Sequence, residues 1–188
     1  PVRPEVVGKT LTEVARLYDK SPVDMFSWLA QESVAYTQKT GEPGDMMIGT
    51  SMTEADVHAL MLWPHTNICT DGSLLDGHPR GAGSFPKVVG RYVRELGLLP
   101  LEQAIHKMTG LPAEHMGLTE RGSVAEGYIA DLVLFDPDTI IDRATTQAPY
   151  RLSEGVSDVW VAGRRVLQQG AMSDAFPGRV LRRASTDG

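Results

Sequence analysis

The sequence predicts an α/β fold that passes into a β-rich part, on three observations. Apolar residues recur at helical spacing up to about residue 118 and at strand-like spacing beyond it. Residues 46–71 read as strand, helix, strand, the crossover unit of a parallel sheet. The second of those strands, Asn67-Ile68-Cys69-Thr70, runs into Asp71 and then into small, turn-forming residues, Gly72, Ser73 and Asp76-Gly77. A carboxylate at the carboxyl end of a buried strand is where barrel enzymes place catalytic groups.

The elements follow in order. Thr10 is placed as the cap of a helix carrying Leu11, Val14, Ala15 and Tyr18. Ser21-Pro22-Val23-Asp24 opens a second helix, with Ser as cap and Pro at the first helical position. Its expected apolar face is Val23, Phe26, Leu29 and Ala30, and Gly41-Glu42-Pro43-Gly44 is a loop. Met46-Met47-Ile48-Gly49 reads as a short buried strand. Thr53 then caps a helix with Val57, Leu60 and Met61 on one face, and Pro64 stops it. Residues 72–83 form a Gly-rich loop holding His78-Pro79-Arg80, and its length favours a functional loop. Ser84 is expected to cap a helix with Phe85, Val88, Val89, Tyr92, Val93 and Leu96 on its core face. Leu101, Ala104, Ile105 and Met108 mark a further helix, ended by Gly110, and Pro112–Met116 a short turn closed by Gly117.

In the β-rich part, Ala130–Phe135 is a strand stopped by Asp136-Pro137-Asp138. Val159-Trp160-Val161 and Arg165-Val166-Leu167 flank Ala162-Gly163, a hairpin signal. Gly178–Leu181 reads as a last strand. A boundary near 118 thus separates residues 1–118 from residues 119–188.

Composition removes several function classes. The 188 residues carry a net charge of −6, against the concentrated basic footprint that nucleic-acid binding needs. Arg179, Arg182 and Arg183 form a small basic cluster that reads as a solvated tail. One cysteine, Cys69, rules out an intramolecular disulfide. No stretch approaches the roughly 20 apolar residues of a membrane span. The first residues, Pro1-Val2-Arg3-Pro4-Glu5, lack the apolar core of a signal peptide and begin without Met, which suggests processing or a fragment boundary. A cytoplasmic location is the resulting expectation.

Few residues are candidates for chemistry. Asp71 reads either as a turn residue, since Asp-Gly is a strong turn pair, or as a general acid/base at a strand end. Arg80 has the planar fork that grips a substrate carboxylate, and His78 stands beside it; the alternative is a solvent-exposed loop pair. His58 and His106 lie on helices as structural or surface groups, and His65 and His115 are given no role. Cys69 shares the face of Asp71 if the strand persists, and reads as a buried, inert thiol. The chain has no His-x-His, no Cys-x-x-Cys, no His-Glu-x-x-His and no helical histidine pair, so no metal ligands are assigned within it.

Five segments together resemble the C-terminal portion of the N-acyl-D-amino-acid deacylases, within the amidohydrolase superfamily. They are Thr70–Ser73, His78–Gly81, Ser84–Glu95, Lys107–Ala113 and Gly127–Asp136. The Gly-x-x-Ala-Asp-Leu-Val run is shared by many amidohydrolases, whereas the stretch from His78-Pro79-Arg80 to Arg91-Tyr92-Val93-Arg94-Glu95 is more specific to the deacylases.

The resemblance implies a (β/α)8 barrel with a small β-sandwich. Residues 1–118 would be the C-terminal portion of the barrel and 119–188 the C-terminal portion of the sandwich. It implies hydrolysis of the N-acyl amide of an N-acyl-D-amino acid at a zinc site whose ligands lie outside this chain. Zinc would polarise the carbonyl and acidify a bound water. Asp71 would take the water proton and pass it to the leaving amine, with His78 and Arg80 at the substrate carboxylate. A barrel cannot close with two strands, and open sheet edges invite association. The chain is therefore expected to be a truncated product, a proteolytic piece or one half of a two-chain enzyme, inactive and zinc-free alone and poorly soluble or oligomeric without its missing N-terminal half. The alternative is a non-catalytic remnant or interaction module that pairs with a barrel-like partner.

Overall fold

A computed structural model describes residues 3–44, 47–73 and 77–181. The chain divides into two compact units, residues 1–49 and 50–188.

The first unit is a helical pair, α1 (Leu11–Leu17) and α2 (Pro22–Thr40), preceded by one 3₁₀ turn (Pro4–Val6). Thr10 closes a reciprocal cap: its hydroxyl accepts from the Glu13 amide, and the Glu13 carboxylate accepts from the Thr10 amide at 2.7 Å. Ser21 caps α2 with Pro22 at its first position, and Gly41, in the left-handed region, ends it. The two helices meet at Met25, Val14 and Ala15, all buried, with Leu11, Tyr18, Trp28 and Leu29 around them. The apolar face predicted for α2 is corrected in part. Leu29 and Ala30 are half-buried, but Val23 and Phe26 are exposed, and the buried contact is Met25. The 7-residue α1 is too short to cover a second stripe of the 19-residue α2.

The second unit opens with α3 (Glu54–Leu62), capped by Thr53 and Asp56 through the same reciprocal pair of bonds. Thr53→Ala is expected to cost about 1 kcal/mol, because it removes the acceptor for the Asp56 amide. A lower midpoint of thermal or denaturant unfolding checks this. Met61 is buried and Val57 half-buried on the predicted face, while Leu60 is exposed.

The two strands predicted around α3 are not formed among the described residues. Met46 lies outside them, and Met47 and Ile48 are exposed and unpaired. Asn67–Thr70 makes no ladder either. A strand exists only against a neighbour, and no described segment forms a ladder with either one. The crossover unit is therefore absent as secondary structure. The alternation survives at the second position: Thr66, Ile68 and Thr70 are half-buried while Asn67, Cys69 and Asp71 are exposed. Cys69 is correspondingly an exposed thiol, not the buried one expected.

The next helix starts earlier than predicted. α4 spans Arg80–Lys87 and continues directly into a π-helical segment, Val88–Glu95. Ser84 is therefore interior, its hydroxyl donating to the Arg80 carbonyl at 2.8 Å. Pro86 explains the change of helical type locally. It has no N–H for the Ala82 carbonyl, and that carbonyl accepts from the Ser153 hydroxyl instead, at 3.0 Å. The π turn closes with the Leu96 amide on the Arg91 carbonyl, 2.9 Å. Val88, Val89 and Tyr92 are buried as expected, but Phe85 and Leu96 at the two ends are exposed. α5 (Leu101–Met108) and α6 (Gly110–Met116) follow, with Gly117 in the left-handed region. Met61, Val88, Tyr92, Leu99 and Ala104 form the core of this part, with Ile68 packed against it.

A four-stranded antiparallel sheet ends the described chain in the order β1 (Leu132–Phe135), β2 (Val156–Val161), β3 (Arg164–Gln168), β4 (Ala171–Met172). Ala162 (φ 49°) and Gly163 (φ 77°) make the predicted β2–β3 turn. Gly178–Leu181 is not a strand, and the sheet ends at β4 instead. Arg94 ties the π segment to the sheet's approach, its guanidinium donating to the carbonyls of Pro137 (2.9 Å) and Ile140 (2.7 Å). No helix among the described residues is long and apolar enough to cross a membrane.

Candidate active site

Two backbones cross to make the site. Gly72 and Gly81 lie so close that a Cβ on Gly72 would sit 2.7 Å from the Gly81 amide nitrogen, and nearer still to its Cα. Only a residue without a side chain permits that approach. Gly72 directly follows Asp71, and Gly81 directly follows Arg80. The crossing therefore sets the two charged side chains against each other, and Arg80 Nη1 stands 3.1 Å from Asp71 Oδ2. Asp71 has φ 46°, a conformation that Asp tolerates better than most residues. The Thr70 hydroxyl accepts from the Gly72 amide at 3.3 Å, tightening the bend.

His78 serves the same loop from its other side. Its Nδ1 accepts from the Arg80 amide at 3.1 Å, which places its ring proton on Nε2 when neutral and holds the first turn of α4. Tyr150 reaches in from the segment before β2, its hydroxyl oxygen accepting from the Gly77 amide at 3.1 Å. With the Ser153–Ala82 bond, the sheet's approach thus holds the loop at Gly77 and the first turn of α4 at Ala82. Of the three residues singled out from the sequence, Asp71 and Arg80 are a contact pair, and His78 shapes the turn that carries Arg80.

The pair is open to water, with the Asp71 side chain 79 % and the Arg80 side chain 40 % exposed. An ion pair this exposed adds little to stability; its consequence is orientation. A carboxylate is a proton acceptor, and a guanidinium is a planar donor fork whose geometry matches a carboxylate. Leu74, Leu75 and Asp76 of the loop lie outside the described residues.

Two features escaped the sequence reading. Lys107 is fully buried, its ammonium donating to the carbonyls of Trp63 (2.6 Å) and Thr66 (3.1 Å). Burial pushes this ammonium below the ordinary lysine value. The Lys107 carbonyl also accepts from the Ile68 amide at 2.9 Å. The second feature is Glu54, which gathers Arg91 (3.2 Å), the Tyr92 hydroxyl (3.3 Å) and His58 (3.6 Å). Burial chiefly, with the Glu54 charge second, raises the Tyr92 hydroxyl above its usual value. A lysine at a helical position beside a core stripe was the available signal for the first; nothing in the sequence linked Glu54 to residues 37 and 38 positions away.

Among the described residues no group of three or more His, Cys, Asp or Glu side chains could hold a metal ion. A catalytic zinc takes three protein ligands, so these residues do not by themselves make a zinc site.

The amidohydrolase family model matches residues 56–167, which include the Gly72–Gly81 crossing and the Asp71–Arg80 pair. The chain belongs to the amidohydrolase family. It is 40% identical over 184 residues to a D-aminoacylase of Alcaligenes xylosoxydans xylosoxydans, covering 97% of this chain and 35% of that protein. It is 48% identical over 132 residues to an N-acyl-D-aspartate deacylase of the same organism, covering 69% of this chain and 26% of that one. Among solved structures, an N-acyl-D-glutamate deacylase from Bordetella bronchiseptica, complexed with zinc and a phosphonate inhibitor that mimics the tetrahedral intermediate, matches with a TM-score of 0.75 at 37% identity, over 98% of this chain and 36% of that one. The chain therefore shares the α/β fold of these amidohydrolases over the region it spans. It spans about a third of the length of the curated relatives it matches along nearly all of its own length.

Proposed function

We propose that the full-length protein containing these residues is a zinc-dependent amidohydrolase that cleaves the N-acyl amide bond of N-acyl-D-amino acids. The observation that carries this reading is the Asp71–Arg80 contact at the Gly72–Gly81 crossing, a proton acceptor beside a carboxylate-binding fork. Those two functions are what an N-acyl amino acid requires, since it presents a scissile amide next to a free carboxylate. Asp71 takes a proton from the attacking water and returns it to the leaving amine nitrogen. Arg80 receives the substrate carboxylate, and His78 fixes the turn from which Arg80 projects and borders the same carboxylate. The zinc of the complete enzyme would be held by residues outside this chain.

The architecture belongs to the same proposal. Residues 1–118 would supply the C-terminal portion of a (β/α)8 barrel and 119–188 part of a β-sandwich. Residues 46–49 and 67–70 would become the last barrel strands once neighbours flank them. The alternation of exposure along 66–71 supports this, as do the exposed apolar groups Met47 and Ile48, Val23, Phe26 and Val34 on α2, and Leu132, Val133 and Leu134 on β1. The missing N-terminal half of the protein is the proposed cover for these surfaces. A cytoplasmic location completes the proposal.

The test is turnover of N-acetyl-D-glutamate, N-acetyl-D-aspartate and an apolar N-acetyl-D-amino acid by purified full-length protein, with the L-enantiomers as controls. Hydrolysis of a D-substrate with little of its L-form is expected. Zinc-loaded, folded protein that turns over none of them would overturn the reading. In the active protein, Arg80→Lys is expected to raise KM several-fold more than it lowers kcat, because an ammonium cannot make the two-pronged contact. An unchanged KM would return Arg80 to the role of a surface ion pair.

A further inference from the structure

We propose that Lys107 is a positioning residue for Asp71, its caged ammonium fixing the turn at residues 63–66 from which the segment carrying Asp71 departs. The catalytic consequence rests on the function proposed above, whereas the structural one does not.

The segment that delivers Asp71 needs anchors. It has no strand partner among the described residues, and its outward residues Asn67, Cys69 and Asp71 face water. Lys107 supplies three. Its Nζ binds the carbonyls of Trp63, at the end of α3, and of Thr66, and its own carbonyl takes the Ile68 amide. These contacts fall eight, five and three residues before Asp71 and converge on one residue of α5. Ile68 then packs against the Met61–Tyr92–Ala104 core, which fixes the side chain whose amide Lys107 holds.

The chemistry of the cage argues for a constraint on the chain and not for packing alone. Lys107 is fully buried, and its ammonium is held among the described residues by two main-chain carbonyls. A buried cation is costly, and a methionine would fill a similar space without that cost. What methionine cannot do is satisfy two carbonyls that face inward at the turn after a helix. Trp63 O serves two donors, since the Thr66 amide also binds it at 3.2 Å. Removing the ammonium therefore loosens the turn and frees the residues that follow it.

The test has two independent arms. In the first, amide hydrogen exchange is measured on the 188-residue chain. The Ile68 amide is expected to exchange as slowly as the interior amides of α5. In Lys107→Met, exchange at residues 66–70 should accelerate at least tenfold while α5 keeps its protection. Lys107→Arg, which keeps charge and donors, should fall between the two. An Ile68 amide that exchanges freely in the unaltered chain overturns the proposal without any variant. In the second arm, in the full-length enzyme, Lys107→Met is expected to lower kcat about tenfold to a hundredfold with KM within twofold, and Lys107→Arg to recover part of it. A Lys107→Met enzyme with unaltered kcat, or one with protection at 66–70 intact, overturns the positioning role. A full-length protein without deacylase activity would count against the proposed function alone, and the exchange arm would still decide on Lys107.

Discussion

Asp71→Asn in the full-length enzyme is expected to lower kcat by about 10²–10⁴-fold, the range for a lost general acid–base group, or by more if one group handles the proton twice. The amide matches the carboxylate in size, so the bend at φ 46° and the Gly72–Gly81 crossing have no steric reason to move. What disappears is the negative charge and the ability to take a proton. Arg80 loses its ionic partner at 3.1 Å but keeps its fork, and a pair this exposed contributes little to folding. KM is therefore expected to stay within a few-fold and the unfolding midpoint to stay near that of the unaltered enzyme. Bound zinc should remain, because the amide keeps the size of the carboxylate and the proposed zinc ligands lie outside this chain. Steady-state kinetics beside metal analysis checks all of this. A near-normal kcat in the Asn enzyme would remove Asp71 from the mechanism, and loss of zinc together with kcat would make it a ligand instead.

The fold was legible where the local chain decides the outcome. Thr10, Ser21 and Thr53 each place a side-chain oxygen where the first turn of a helix needs an acceptor, and all three cap as read. Ala162-Gly163 makes the hairpin because both residues reach positive φ. The reading failed where the outcome depends on a neighbour. Asn67–Thr70 has the composition and alternation of a strand, but pairing is a property of two segments. Ser84 looked like a cap because the Gly-rich run before it looked like loop. The helix instead begins at Arg80, held by the His78 ring, and Pro86 displaces its hydrogen-bonding register. Of the candidate site, Asp71, His78 and Arg80 were picked out by residue type and position, and the structure brings Asp71 and Arg80 into contact. The crossing that brings Asp71 to Arg80 was not, since Gly72 and Gly81 read separately as loop glycines. Lys107 was illegible for a related reason: its partners are backbone carbonyls, which carry no residue identity.

Gly72→Ala is expected to lower kcat/KM by about a hundredfold, the loss that a displacement of roughly 1 Å at a reacting group produces. The new methyl carbon would stand 2.7 Å from the Gly81 amide nitrogen, well inside van der Waals contact, and no flexible side chain is there to yield. The two backbones must separate. Asp71 and Arg80 stand on the residues immediately before the crossing, so separation pulls the carboxylate from the guanidinium. Both kcat and KM should worsen, unlike in Asp71→Asn, because the proton acceptor and the carboxylate fork lose register together. The loop lies outside the Met61–Tyr92–Ala104 core, so the unfolding midpoint should fall far less than for a core truncation. The Ala substitution at Gly81 supplies the comparison. Its Cβ would be tight only against the Ser73 carbonyl, at 3.3 Å, which a few tenths of an ångström relieves, and would meet Gly72 Cα and Ser73 N at an ordinary 3.8 Å. Gly81→Ala should therefore lose much less activity than Gly72→Ala. Equal activity in the two variants would show that the crossing does not set the geometry of Asp71 and Arg80.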